Sequence, residues 1–280
     1  MRILPDLPDL RILPTEALHP HELAEDSRAG PLAEALRREG VLRNPPIVLR
    51  LAGDPERYLV LDGANRTTAF RQLGLPHVLA QVVHPGDNQV SVETWNHVVL
   101  DLGEPDLLRA LASVEGIALE DSDAESARRD LTQGAALATL SLRGGRVASL
   151  LGPFPDLRRR IAGLNRLVHA YQQRARFERT NARSLEEVEA AFPTAAGLVV
   201  FRSLDVEEIV DGVSAGVLLP AGLTRFVVSP RALRVNYPLA GLASGEDREA
   251  KQRALEAWLR ERVAGRKVRY YAEATYLFDE

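Results

Sequence analysis

The chain has 280 residues, of which 45% are hydrophobic and 26% charged, with a formal net charge of -4. That length supports one large domain or two modest ones, and the composition excludes a disordered tail, a collagen-like fibre and a disulfide-stapled miniprotein. Neither the first hundred residues (net -3) nor the remainder (net -1) is basic overall, which counts against a non-specific nucleic-acid binder.

Cysteine is absent, so there is no disulfide framework, thiol nucleophile or cysteine metal site. Lys251 and Lys267 are the only lysines, so contacts to phosphate or carboxylate fall to arginine forks, helix ends and backbone amides. Pro5 and Asp6 break the N-terminal segment too early for a signal peptide, and no apolar run approaches the roughly 18 residues of a membrane span. A soluble cytoplasmic protein is expected.

Residues 10–13 are an apolar run closed by Pro14 and predict a strand. Residues 31–39 predict a helix, with Pro31 in its first turn, Leu32, Ala35 and Leu36 on one face, and Gly40 as the stop. Strands are predicted over 47–51 and 58–61, joined by a turn at Ala52-Gly53-Asp54-Pro55. Asp62-Gly63 then leads into a helix over 64–73 closed by Gly74, and 78–83 is a further strand. This is an α/β unit. Residues 101–111 and 124–140 read as helical or mixed, and 161–177 as an amphipathic helix with Ile161, Leu164, Val168 and Tyr171 on one face. Ser184 and Glu187 have capping-box spacing, which predicts a helix start. Strands are expected over 198–201 and 226–228, a helix over 248–263, and a terminal strand region over 267–277.

The best local signal for chemistry is strand–Asp62-Gly63-Ala64-Asn65-Arg66-Thr67-Thr68–helix. Gly63 allows a sharp turn, and the following amides and positive helix end converge on one spot. Arg66 can fork onto phosphate, Thr67 and Thr68 add hydroxyls, and Asp62 can hold a metal ion or a substrate hydroxyl. The alternative is a plain turn with Asp62 as N-cap and Arg66 solvated, and spacing alone favours it. Leu18-His19-Pro20-His21-Glu22, followed by Arg28, lacks the helical i,i+4 histidine spacing of a zinc protease and reads as a polar loop. Its Glu22 has the chemistry to orient or deprotonate an alcohol. Thr94-Trp95-Asn96-His97 offers an aromatic wall with a polar neighbour, or a core tryptophan with a satisfied histidine. Leu219-Pro220-Ala221-Gly222-Leu223-Thr224-Arg225-Phe226 offers a carboxylate grip, or a turn entering a strand. There is no P-loop and no Rossmann glycine fingerprint.

In combination and order these motifs resemble the ParB/sulfiredoxin-like superfamily, and within it the free L-serine kinases of the bacterial, siderophore-associated branch. The likeness rests on the 18–22 loop with Arg28, Arg43-Asn44-Pro45-Pro46-Ile47-Val48, Tyr58-Leu59-Val60-Leu61-Asp62-Gly63, Trp95-x-His97, and Pro220-Ala221-Gly222-Leu223-Thr224-Arg225-Phe226. It continues through Pro238-Leu239, Trp258 and Thr275-Tyr276-Leu277, while 103–195 is poorly matched. Asn65 stands where the family commonly carries histidine; it can donate to phosphate but does not titrate.

The resemblance implies an α/β (α+β) fold. A ParB/sulfiredoxin-like nucleotide-binding domain over 1–100 would be followed by a mixed α/β domain over 101–280 that completes the substrate pocket. It implies transfer of a phosphoryl group from ATP or ADP, with Mg²⁺, to the hydroxyl of L-serine, giving O-phospho-L-serine. Glu22 would be the base, Asp62 would position the hydroxyl or the metal, and Arg66 would stabilise the transferred charge. Arg28 and Gly63 to Thr68 would hold the nucleotide, and Trp95, His97, Thr224 and Arg225 would shape the amino-acid pocket. The competing expectation is a ParB-like, nucleotide-dependent DNA-binding regulator. A sulfiredoxin-type reductase conflicts with the lack of cysteine.

Overall fold

Apolar runs broken by Pro, Gly and Asp set the first third of the chain. In the computed structural model, which describes residues 7–23, 26–51, 54, 56–84 and 90–271 (backbone only for 26–28), they form β1 (Leu10–Pro14), β2 (Leu18–Pro20), α1 (Asp26–Glu39), β3 (Val41–Leu42), β4 (Ile47–Arg50), β5 (Tyr58–Asp62), α2 (Ala64–Gln72) and β6 (His77–Val83). The next segment forms β7 (Val90–Thr94), β8 (Asn96–Leu100), α3 (Glu104–Ala112), β9 (Ala118–Ser122), α4 (Ala124–Gln133), β10 (Ala136–Ser141), β11 (Val147–Leu151), α5 (Leu157–Gln172), β12 (Arg176–Thr180), β13 (Gly197–Phe201), α6 (Val206–Ser214) and β14 (Thr224–Val228). The last forms β15 (Tyr237–Pro238), α7 (Leu239–Ala243) and α8 (Arg248–Ala264). The class is mixed α/β, as expected.

The chain divides into two compact units, and the division does not fall at 100/101. The first unit comprises Met1–His19, Asp26–Asp87 and Pro230–Glu280; the second comprises Pro20–Glu25 and Asn88–Ser229. Burial explains the return of the C-terminal part. Tyr237, Leu242 and Leu255 share one core with Leu18, Val60, Phe70 and Leu79, and Trp258 stacks edge-on against Tyr237 with ring centroids 5.4 Å apart. Buried Gln81 fastens the entry of that segment, donating to the Pro230 carbonyl at 2.9 Å and accepting from the Ala232 amide at 2.8 Å.

The first unit's sheet runs β1-β6-β4-β5-β2. Its central β4 is parallel to β6 and antiparallel to β5. The second unit's six-stranded sheet runs β12-β8-β13-β10-β11-β9, every neighbour antiparallel. A separate ribbon pairs β14 with β7, setting Thr224 opposite Thr94 and Arg225 opposite Glu93.

Several elements differ from expectation. Helix α1 starts at Asp26, so Pro31 lies in its second turn, where its fixed φ is helical but it donates no backbone bond. The stretch 124–140 splits at Gly134 (φ 75°), a left-handed stop between α4 and β10. Helix α5 begins at Leu157, capped by Asp156, and ends at Gln172, so Phe177 belongs to β12. No helix forms at Ser184. Glu187 does accept from the Ser184 amide at 2.9 Å, but the Leu185 amide is committed to the Ser141 hydroxyl, the Val188 amide bonds Leu185 in an i→i+3 turn, and Pro193 follows. Residues 267–271 are not a strand, and 272–277 lie outside the described residues, as does most of the expected 52–55 turn. Among the described residues no helix is long and apolar enough to cross a membrane.

Candidate active site

In the first unit, strand β5 ends at Asp62 and the chain turns through Gly63 (φ 99°, ψ 29°) directly into α2. Gly63, not Asp62, is the N-cap, and no side chain caps the helix. The first helical bond runs from the Thr67 amide to the Gly63 carbonyl, so the amides of Ala64, Asn65 and Arg66 precede it and point out of the helix start. Asp62 Oδ2 accepts from Arg66 Nη2 at 3.2 Å and also pairs with Arg231. The Arg66 guanidinium folds back over Gly63. A Cβ at Gly63 would lie 2.9 Å from Arg66 Nε and Nη2 and 3.0 Å from Pro46 Cβ. Arg66 Nε is buried without a partner, and burial lowers the pKa of both Arg66 and Arg231. The result is an uncapped helix start beside two partly desolvated cations, an arrangement suited to an oxyanion.

Two expected contributors differ. Thr67 is buried and its hydroxyl donates to the Gly63 carbonyl at 3.2 Å; that of Thr68 donates to Ala64 at 3.2 Å. Both hydroxyls are therefore committed to the preceding helical turn. Asp62 is surrounded by cations, and among the described residues no group of three acidic, histidine or cysteine side chains is placed to hold a metal. The Arg28 side chain lies outside the described residues.

In the second unit, Glu22 forms a parallel bridge with Leu219, and the chain closes around its carboxylate. Oε2 accepts from the Gly222 amide at 2.7 Å. Oε1 accepts from the Thr224 amide at 2.6 Å and the Thr224 hydroxyl at 2.5 Å. His21 Nε2 lies 2.5 Å from the same hydroxyl, so His21 donates to Thr224 and Thr224 to Glu22. His19, in the first unit, instead accepts from Arg57 at 3.2 Å, so the two histidines do not act as a pair.

Gly222 (φ 78°) is required where it stands, because the Arg179 guanidinium occupies the place a Cβ would take. Its carbonyl faces His97 Nε2 at 3.3 Å, while His97 Nδ1 lies 2.6 Å from the Tyr171 hydroxyl. Tyr171 is fully buried, which raises its pKa well above the usual phenol value; it donates to Nδ1, leaving the ring proton on Nε2 for Gly222. His97 is 0% exposed and stacked on Phe177 at 4.1 Å, where its ring holds the Gly222 carbonyl. The histidine expected at the amino-acid pocket is enclosed by Tyr171, Phe177 and Phe201. Trp95 and Arg225 do come together, with the guanidinium 4.9 Å from the ring centroid, and Arg225 also pairs with Glu93 at 3.1 Å.

Burial pushes the His97 pKa down to about 3, opposed by its bond to Gly222 and reinforced by the Arg179 charge. Below pH 6.5 the unfolded chain takes up a proton here that the folded chain refuses until about pH 3. Stability is thus lost as pH falls through that window, by up to about 1.4 kcal/mol per pH unit from this group. Urea denaturation at several pH values from 4 to 7 should show a shallower pH slope for His97→Gln than for the parent.

Residue types and spacing pointed to Asp62-Gly63-Arg66, Glu22 and Thr224. They missed Arg231 and Arg179, which arrive from distant parts of the chain with no local signal, and the Tyr171 hydroxyl, which the apolar periodicity of α5 conceals.

No family model matches the chain. An ATP-dependent L-serine kinase of Staphylococcus aureus, SbnI, is 25% identical over 274 residues, 97% of this chain and 97% of the relative. The similarity to this kinase spans nearly the whole of both chains. A second relative, an ATP-dependent L-serine kinase of Staphylothermus marinus, is 33% identical over 110 residues, 39% of this chain and 42% of the relative. A similar fold is seen in two solved structures. SbnI from Staphylococcus aureus with a C-terminal truncation matches with a TM-score of 0.72 at 23% identity, over 91% of this chain and 97% of that one. A free serine kinase in complex with AMP matches with a TM-score of 0.70 at 16% identity, over 86% and 97%.

Proposed function

We propose that this chain is a free L-serine kinase, transferring a phosphoryl group from ATP or ADP to the serine hydroxyl to give O-phospho-L-serine. The carrying observation is an uncapped helix start at Gly63–Arg66, flanked by Arg66 and Arg231, in a chain that matches an ATP-dependent L-serine kinase across 97% of its length. The names of both relatives support ATP as donor. The DNA-binding alternative is not favoured.

Phosphoryl transfer asks a protein chiefly for positioning and charge stabilisation. The amides of Ala64, Asn65 and Arg66 would cradle the nucleotide phosphates, with Asn65 offering its side-chain amide. Arg66 and Arg231, desolvated and already converging on one carboxylate, would swing little to meet the transferred group. Mg²⁺ fits only as a phosphate-borne ion, with Asp62 as its single protein carboxylate; when bound it neutralises phosphate charge. Glu22 would receive the serine proton. An ionised carboxylate has about four acceptor sites; three are filled by Gly222 and Thr224, leaving one for a substrate hydroxyl. Trp95 and Arg225 would form the wall and carboxylate anchor of the amino-acid pocket.

Mass spectrometry after incubation with L-serine, Mg²⁺ and either ATP or ADP tests this reading. O-phospho-L-serine should accumulate with at least one donor, and its absence with both would overturn the assignment.

A further inference from the structure

The second unit contains a cavity of about 770 Å³, walled by α4 and by one face of β10 and β13. Its chemistry is unlike a structural void. Three guanidinium-bearing residues line it (Arg128 of α4, Arg183 and Arg202), and no acidic side chain is among the lining residues. Arg128 and Arg183 make no ion pair among the described residues. Arg202 pairs with Glu208 through Nη2, but its Nε is buried without a partner. The sheet face sets two hydroxyls beside Val147 and Val200. Thr139 and Ser141 alternate on β10, are buried, and both line the cavity. Ser141 accepts from the Leu185 amide at 2.9 Å, which leaves its hydroxyl proton to donate.

The two arginine-bearing backbones are held by one side chain. Buried Asn96 donates to the Ala182 carbonyl at 2.7 Å and accepts from the Phe201 amide at 3.0 Å. The residues that follow those two anchors are Arg183 and Arg202. Asn96 lies between Trp95 and His97, and Thr94 adds a bond to the Arg202 carbonyl at 3.4 Å. The segment that carries the aromatic wall thus also sets the spacing of two cations at the cavity.

We propose that this cavity binds a small metabolite bearing a phosphate monoester. Arg128 and Arg183 neutralise it, the orphaned Arg202 Nε donates to it, and the Thr139 and Ser141 hydroxyls complete its shell. The doubly charged phosphate answers the excess of guanidinium over carboxylate, and its three acceptor oxygens answer the guanidinium and hydroxyl donors in the wall. The proposal does not depend on the kinase reading.

The test is amide NMR titration of the full chain with inorganic phosphate and, separately, glycerol 3-phosphate. Saturable shifts are expected at Arg128, Arg183 and Ser184, with glycerol 3-phosphate the tighter ligand. The variant Arg128→Gln/Arg183→Gln should bind both at least tenfold more weakly at this site. Its phosphorylation of serine in the absence of added phosphate should stay within twofold of the parent, so failure here and failure of the kinase reading are separable. Shifts confined to Gly63–Arg66, no saturation by about 20 mM, or equal affinity in the double variant would overturn the proposal.

Discussion

Replacing Glu22 by glutamine lowers kcat for serine phosphorylation by about 10²- to 10⁴-fold, the usual worth of a positioned base, while nucleotide affinity stays within about threefold of the parent. The first effect follows from the loss of the proton acceptor. The second follows from the placement of the helix start at Gly63–Arg66 in a different unit from Glu22. The substitution also disturbs its surroundings. Three donors converge on the two Glu22 oxygens, and a glutamine amide presents only one oxygen. Its NH₂ must face either the Gly222 or the Thr224 amide, leaving one buried donor unmatched at a cost of about 1–3 kcal/mol. Urea denaturation reads that loss independently of turnover. A variant that keeps kcat within tenfold of the parent would remove Glu22 from the chemistry and leave it as the clasp of the 219–224 segment.

Gly63→Ala abolishes measurable nucleotide binding, and Gly74→Ala does not. Both glycines have positive φ, 99° and 65°, so alanine carries a backbone penalty of about 1–2 kcal/mol at Gly74 and a larger one at Gly63, whose φ lies beyond the left-handed region. The surroundings separate them. Nothing lies within 4 Å of the Cβ position at Gly74, whereas at Gly63 that position is 2.9 Å from two Arg66 nitrogens. The new methyl must push the guanidinium away from the helix start and from Asp62. Calorimetric titration with ADP reads the binding loss, and thermal unfolding of both variants supplies the strain-only baseline. Equal nucleotide affinity in the two variants would show that Arg66 does not need its folded-back position.

What could be read from the amino-acid order was what is locally encoded. Asp62-Gly63-Ala64 follows an apolar run and precedes a helical pattern, so a strand, a left-handed turn and a helix start were legible there, including the stop at Gly74. Apart from Arg28, the nucleotide-side candidates fell within the seven residues 62–68 for that reason. The Glu22 clasp was legible only in part. Its loop and the Gly222-Thr224 turn each carried a signal, but their union depends on a bridge between residues about 200 positions apart. Arg231 reaches Asp62 because Gln81 fastens Pro230 and Ala232, a tertiary fact with no sequence pattern. At His97 the local signal and the packing differ. Its neighbours Trp95 and Thr94 invited a pocket reading, yet Phe177, Phe201 and Tyr171 enclose it. At Ser184 a genuine capping signal was present, but tertiary bonding of the Leu185 amide to Ser141 won over the helix.

The central claim is that the γ-phosphate of ATP, or the β-phosphate of ADP, passes to the serine hydroxyl without escaping to water. Following the reaction by ³¹P NMR tests it most directly, with the parent, Glu22→Gln and Gly63→Ala run side by side. The parent should convert the donor phosphate resonance into one phosphomonoester resonance of O-phospho-L-serine, one for one and only when serine is present, and neither variant should do so at a comparable rate. Release of inorganic phosphate in place of the phosphomonoester, or donor consumption that is indifferent to serine, would contradict the account.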